Sequence, residues 1–349
     1  MIERRIARAA YRLAQSARMG WYAGLYRLSR RISRPVPAAP ELRARMPDAA
    51  HLRAGLEALI ARDLANIEAG LYRMPEGLLP GPETWRRAAL YFIDLDAVER
   101  RRRRRDGLEL SRQRLSASYP PYYRQNFHYQ TDGYLSRRSA ELYDLQVEVL
   151  FSSSADLMRR QALAPIARHL ARSGASSGLL LDVACGTGRF LAQVKSNWPR
   201  LPVVAIDLSP QYLDEAGRHL APWSRTTLVQ GAAEALPFAS DSFAIVTNIY
   251  LLHELPRGVR HRTLREMARV LRPGGLLVLI DSLQLGDVPE YDALLQHFPA
   301  AFHEPYFADY SGDDLAAPLA RAGLCPGATE LAYLSRVMTW TKPDSAGAI

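Results

Sequence analysis

Leu179-Leu-Leu-Asp-Val-Ala-Cys-Gly-Thr-Gly-Arg-Phe-Leu191 decides the fold. An apolar run ends in an acid, a turn of small residues follows, and Arg189-Phe-Leu191 opens a helix. The pattern predicts strand, turn, helix. Gly186 and Gly188 let backbone approach a ligand where a side chain would block it. The turn sits at the carboxyl end of a strand, the place where open α/β sheets bind ligands. A dinucleotide fingerprint asks for a third Gly or Ala three residues after the second Gly. Leu191 stands there, which disfavours a nicotinamide or flavin cofactor. Asp182, four residues before Gly186, offers an acceptor to an amine or a water beside the ligand.

Outward from this turn, Val203-Val-Ala-Ile206 reads as a second strand ending in Asp207. Such an acid accepts hydrogen bonds from both hydroxyls of a ribose; the alternative is that it only caps the next helix. Ser209 and Pro210 read as that helix's N-cap and first residue. Further strands are expected near 226–230, 243–249 and 275–281, with helices near 156–172, 188–197, 210–220 and 258–271. Helices near 290–297 and 312–323 and two strands near 328–334 and 336–342 follow, the last two close enough for an antiparallel pair. Strand–helix alternation with continuous Leu, Val and Ile strands means an α/β fold, a parallel sheet covered on both faces.

Residues 179 to 282 resemble the class I methyltransferase family that includes the ubiquinone and menaquinone biosynthesis enzymes (methyltransferase type 11). The resemblance rests on Leu181-Asp-Val-Ala-Cys-Gly-Thr-Gly188, Ala205-Ile-Asp-Leu-Ser209, Gly231-Ala-Ala-Glu-Ala-Leu-Pro-Phe238, Asp241-Ser-Phe243 and Arg269-Val-Leu-Arg-Pro-Gly-Gly275. It implies a Rossmann-like seven-stranded methyltransferase sheet, mostly parallel with an antiparallel last strand, carrying an N-terminal helical extension. It also implies S-adenosylmethionine (SAM) as cofactor. The methionine part would rest on the turn, with Asp182, Ala184, Gly186, Thr187 and Gly188; the ribose on Asp207 and Leu208; the adenine on Ala232 and Ala233. Asn248 completes the expected set. Ala232 departs from the family pattern, which usually has an acid there to bond the adenine amino group. One hydrogen bond contributes about 0.5–1.5 kcal/mol net, so the loss weakens binding tenfold at most.

The rest of the chain divides into a basic amphipathic helix (1–35), a helical region (36–115), an aromatic lid or linker (116–155) and the methyltransferase domain (156–349). In the first of these Ile2, Ile6, Ala9, Ala10, Leu13, Ala14, Ala17, Trp21, Leu25, Leu28 and Ile32 follow helical spacing and set the expected apolar face. Residues 1–35 hold nine arginines and one glutamate, a net +8 of the chain's +9. The basicity therefore belongs to the first helix. That disfavours a nucleic-acid partner for the core and makes residues 1–35 a candidate for peripheral contact with an anionic membrane; packing on the protein itself is the alternative. No apolar run approaches the roughly 20 residues of a bilayer span. Cys185 and Cys325 match no metal-ligand spacing, so no metal and a cytoplasmic setting are expected. Arg100–Arg105 is flanked by Asp94, Asp96, Glu99 and Asp106 and reads as a solvated helix end.

In Ala117-Ser-Tyr-Pro-Pro-Tyr-Tyr-Arg-Gln-Asn-Phe-His-Tyr-Gln-Thr-Asp-Gly-Tyr-Leu135, aromatics alternate with amides. The stretch suits either a roof over a pocket or aromatics packed on the core. For the methyl acceptor, His253 and His303 are the candidate bases, since an imidazole titrates near neutrality. The expected function is methyl transfer from SAM to a C or O atom of a small or lipid-like acceptor. The alternative is a regulatory or scaffolding protein that keeps the fold without transfer.

Overall fold

The computed structural model describes residues 2–33, 36–113, 118–173 and 178–344, with side chains from residue 6 onward. Four helices lead: α1 (Ile2–Ile32), α2 (Pro40–Arg43), α3 (Ala49–Glu68) and α4 (Pro82–Arg104). After the aromatic segment come α5 (Arg137–Leu150), α6 (Ala155–Arg160) and α7 (Leu163–Ser173). The α/β part then runs β1 (Leu180–Val183), α8 (Arg189–Asn197), β2 (Val203–Asp207), α9 (Pro210–Leu220), β3 (Thr226–Gln230), β4 (Phe243–Ile249), α10 (Arg257–Val270) and β5 (Leu271–Ser282). It ends with α11 (Asp292–Phe302), α12 (Phe307–Tyr310), α13 (Ala316–Arg321), β6 (Cys325–Ala332) and β7 (Ser335–Thr341).

The seven strands form one sheet in the order β3-β2-β1-β4-β5-β7-β6. β1 pairs in parallel with β2 and β4, and only β7 runs against its neighbours. The expected mostly parallel sheet with an antiparallel last strand is therefore present. The order reverses between β2 and β4 about β1, so the crevice outside the carboxyl ends of these strands is the topological switch point. Register sets Asp182 opposite Thr247 on β4. Successive β1 residues serve opposite cores. Leu180 packs with Ile166, Phe190 and Val194 on one face. Leu181 packs with Leu264, Met267 and Leu319 on the other.

Two expectations change. The helix expected over 156–172 is two helices, α6 and α7, separated at Gln161 and Ala162. The second concerns α1, which the apolar spacing oriented by Ile6 and Leu13; both are exposed. The protein-facing stripe is Tyr11, Gln15, Arg18, Tyr22, Ser29 and Ser33. Buried acids decide this: Tyr11 donates to Asp63, Arg18 Nη2 to Asp156 at 3.1 Å and Ser33 Oγ to Glu99 at 2.7 Å. Pro35 lies outside the described residues.

The arginine run ends α4, where the helix dipole favours cations. Arg100 pairs with Asp96, Arg101 with Glu109, and Arg102 and Arg103 with Glu99.

Candidate functional site

A cavity opens at the carboxyl ends of β1, β2 and β4. Asp182, Ala184, Cys185, Gly186 and Thr187 form its floor, Asp207 and Leu208 one side, and Gly231 and Ala233 the end. Ile249, Tyr250, Leu251 and Glu254 close the opposite side. Tyr122, Tyr123, Phe127 and Tyr134 of the aromatic segment also line it, with Tyr143 of α5. The aromatic segment thus covers the cavity and packs at once. Phe127 stacks on Tyr134 with ring centroids 5.4 Å apart, and Tyr134 meets the Tyr212 ring at 5.5 Å.

The turn works through backbone. Gly186 has φ +54°, and a Cβ there would meet only open space, so the groove above it has room for a ligand. Gly188 has a different task. Its φ is +73°, and a Cβ would lie 3.0 Å from Ala216 on α9, so this glycine lets α8 and α9 pack. Gly188, Ala232 and Asn248 are absent from the cavity wall among the described residues. Asn248 is fully buried and donates to the Val183 carbonyl at 2.7 Å, tying β4 to β1.

Asp207 accepts from the Gly186 amide at 2.8 Å and the Ser209 amide at 2.9 Å, one bond to each oxygen. A carboxylate oxygen has two lone pairs, so each oxygen keeps one for a ligand. Burial pushes Asp207 up to about 6, against the pull of those amides. Asp182 is raised to about 7, chiefly by burial, while the Thr247 hydroxyl donates to it at 2.6 Å. At the far end Asp144 accepts from Thr187 Oγ1 at 2.9 Å, and its other oxygen is buried without a hydrogen-bond partner. Arg159, itself buried, lies on the same wall.

Residues 180–275 match a family described as "Methyltransferase domain". This segment is thus similar to methyltransferase domains. A ubiquinone/menaquinone biosynthesis C-methyltransferase of Syntrophotalea carbinolica is 38% identical over 149 residues, 42% of this chain and 59% of that protein. A demethylmenaquinone methyltransferase of Staphylococcus aureus is 38% identical over 105 residues, 30% of this chain and 43% of that protein. The chain thus spans less than two thirds of the length of these relatives. Among solved structures, the N-methyltransferase NodS of Bradyrhizobium japonicum, in complex with S-adenosylhomocysteine, is 18% identical, with a TM-score of 0.40 over 53% of this chain and 86% of that one.

SAM is the cofactor that this resemblance implies, and the residues of the wall fit it. Asp144 presents an orphaned carboxylate oxygen and Arg159 a cation, the complements of an amino acid's ammonium and carboxylate. Asp207 has lone pairs to spare for two hydroxyls.

The two candidate bases are not on this wall. His253 Nδ1 lies 2.5 Å from Asp281 Oδ1; although burial disfavours its cation, Asp281 pushes it up to about 9. A histidine held protonated is a poor base. His303 Nε2 lies 3.1 Å from Gln125 Oε1, and its ring fills the space over Gly107, where a Cβ would come within 2.0 Å. The residue on the wall is Glu254, next to His253, whose Oε1 accepts from the Tyr134 hydroxyl at 2.5 Å. Sequence reasoning passed over Tyr143, Asp144 and Arg159 because they lie before the recognisable motifs.

A second cavity of about 290 Å³ adjoins the first. Its lining is mostly apolar: Tyr91, Leu95, Val98, Val149, Leu150, Leu294, Ala301 and Phe302, with Tyr26 and Arg30 of α1. Tyr143 borders both cavities.

Proposed function

We propose that this chain moves the methyl group of SAM to a C or O atom of an apolar, lipid-like acceptor held in the second cavity. The apolar cavity that shares Tyr143 with the cofactor cavity carries the reading. The S. carbinolica and S. aureus relatives are named for quinone methylation, which agrees with an aromatic head on an apolar tail.

Bound SAM supplies an activated methyl on a sulfonium. The chain then has to align the acceptor and exclude water. In this reading the β1–α8 turn, Asp144 and Arg159 hold the methionine part, Asp207 the ribose, and the backbone near Ala232 and Ala233 the adenine. The rings of Tyr134 and Tyr143 exclude water and favour a cation through their faces. His253, anchored by Asp281, acts as a positioning residue for the turn that carries Glu254.

The test is methyl transfer from labelled SAM to phenols and quinols with and without long alkyl tails. Ala301→Trp fills the apolar cavity and should lower kcat/KM for tailed acceptors at least tenfold, roughly the 1.4 kcal/mol of lost contact, with SAM affinity unchanged. An equal effect on tailless acceptors would remove the tail from this cavity. SAM binding without transfer to any acceptor would favour the non-catalytic alternative.

Peripheral membrane contact has its own support. Ile6, Leu13, Leu28 and Ile32 of α1 are exposed, among exposed Arg12, Arg27 and Arg31, and α1 flanks the apolar cavity. No helix among the described residues is long and apolar enough to cross a membrane. Deleting α1 would strip Asp63 and Asp156 of partners, so a point change is the better probe. Leu13→Asp should reduce sedimentation with anionic vesicles several-fold while leaving the melting temperature unchanged; undiminished sedimentation would refute the contact.

A further inference from the structure

The partition between the two cavities holds three potential metal ligands from three distant segments. His128 comes from the aromatic segment, Glu254 from the short turn after β4 and Glu304 from the residues after α11. One ligand atom from each lies within 4.8 Å of the others. His128 borders the apolar cavity and Glu254 the cofactor cavity. We propose that His128, Glu254 and Glu304 bind a divalent first-row transition metal on this partition.

Glu304 is the independent sign of a missing partner. Its side chain is fully buried, and neither carboxylate oxygen accepts a hydrogen bond. His128 Nε2 lies 2.9 Å from Glu304 Oε1 but outside hydrogen-bonding alignment. Two other fully or largely buried acids, Asp63 and Asp156, have arginine partners instead. Asp63 is gripped by Arg160, and Asp156 is met by Arg18, Arg159 and Arg189. Among the described residues no arginine or lysine forms an ion pair with Glu254 or Glu304. Buried Glu304 and half-buried Glu254 therefore share a site with the His128 imidazole beside them. His253, the other imidazole close by, is already committed to Asp281. A dication would supply the absent counter-charge.

Backbone and outer contacts support the same reading. His128 has φ +56°, Tyr129 +57° and His303 +49°. Left-handed non-glycine residues are strained and persist where the surroundings enforce them; here they aim His128 and lead into Glu304. The Tyr134 hydroxyl bonds one oxygen of Glu254, the outer-shell contact that orients a ligating carboxylate. One imidazole with two carboxylates suits zinc, cobalt, manganese or ferrous iron better than calcium, which prefers an all-oxygen set. Tetrahedral ligands at about 2.1 Å from a metal are about 3.4 Å apart, a spacing that small side-chain shifts within this group would reach. The three protein ligands leave a coordination position open. If the chain transfers methyl groups as proposed above, that position would take the acceptor oxygen and lower its pKa; this role rests on the transfer reading, whereas the metal site does not.

The test uses the untagged full chain after chelation. Cobalt(II) is titrated and read by its visible absorption, with zinc(II) competition measured by equilibrium dialysis. One equivalent should bind with micromolar affinity or better, and Glu304→Gln and His128→Ala should each weaken binding at least a hundredfold. SAM titration of the variants shows whether they remain folded. Absence of uptake by the wild-type chain overturns the proposal, as does equal uptake by the folded His128→Ala/Glu304→Gln double variant. Uptake that these variants abolish, in a chain that transfers no methyl group, would uphold the site and reject the transfer reading.

Discussion

Asp63→Asn is expected to lower the unfolding free energy by about 3–5 kcal/mol, the range for breaking a buried ion pair by removing one partner. Asp63 sits on α3 with no exposure. Arg160 of α6 grips it with two bonds, from Nε at 3.0 Å and Nη2 at 2.8 Å. Tyr72 donates at 2.8 Å and Tyr11 of α1 adds a further bond. Asparagine keeps the shape but removes the charge, leaving Arg160 buried without its counter-ion. Three helices meet at this one carboxylate, so the loss should loosen the N-terminal layer as a unit. Urea denaturation of both proteins measures it. A change below about 1 kcal/mol, the scale of an exposed pair, would mean that the network is not the joint between that layer and the sheet. Tyr11→Phe removes one neutral donor and should cost about 1 kcal/mol.

Asp207→Ala should weaken SAM binding at least a hundredfold. Two hydrogen bonds to a charged acceptor, at about 1.5–3 kcal/mol each, exceed the 2.7 kcal/mol that a hundredfold requires. Calorimetric titration is the measurement, and an affinity within threefold of wild type would move the ribose elsewhere. The pH dependence adds a second check. Burial raises Asp207 to about 6 in the free protein, and the ribose hydroxyls need its charged form. Affinity should therefore hold above about pH 7 and fall as pH drops through 6, approaching tenfold per unit. The backbone amides of Gly186, Leu208 and Ser209 oppose the shift, and Asp182 is the nearby acid that is also raised. In Asp207→Asn the step near pH 6 should disappear.

The strand–turn–helix at Leu179–Leu191, the acid ending β2 and the alternation of later elements were legible because each is local. Periodicity selects strand or helix, Pro210 and Ser209 mark a helix start, and a glycine pair marks a close backbone approach. The order of motifs then pointed to the cofactor. Local pattern could not orient α1. Its apolar spacing favoured Ile6 and Leu13, yet the face turned inward carries Tyr11, Arg18 and Ser33. The partners that hold it, Asp63, Glu99 and Asp156, lie between 52 and 138 residues away.

The same limit governed the site. His253 and His303 stood out as imidazoles near neutrality, but whether a histidine is a free base depends on what faces it. Tertiary packing gave His253 to Asp281 and set His303 against Gly107. It also brought His128, Glu254 and Glu304 together where the spacing of cysteines had suggested no metal. The chain order alone determined the strands, the glycine turn and the acid that ends β2, since those follow from neighbours within a few residues. Which acids are buried, which of them are left without a counter-charge, and which cavity adjoins the one above the glycine turn were decided only by folding, because charge and desolvation act through space between segments tens of residues or more apart.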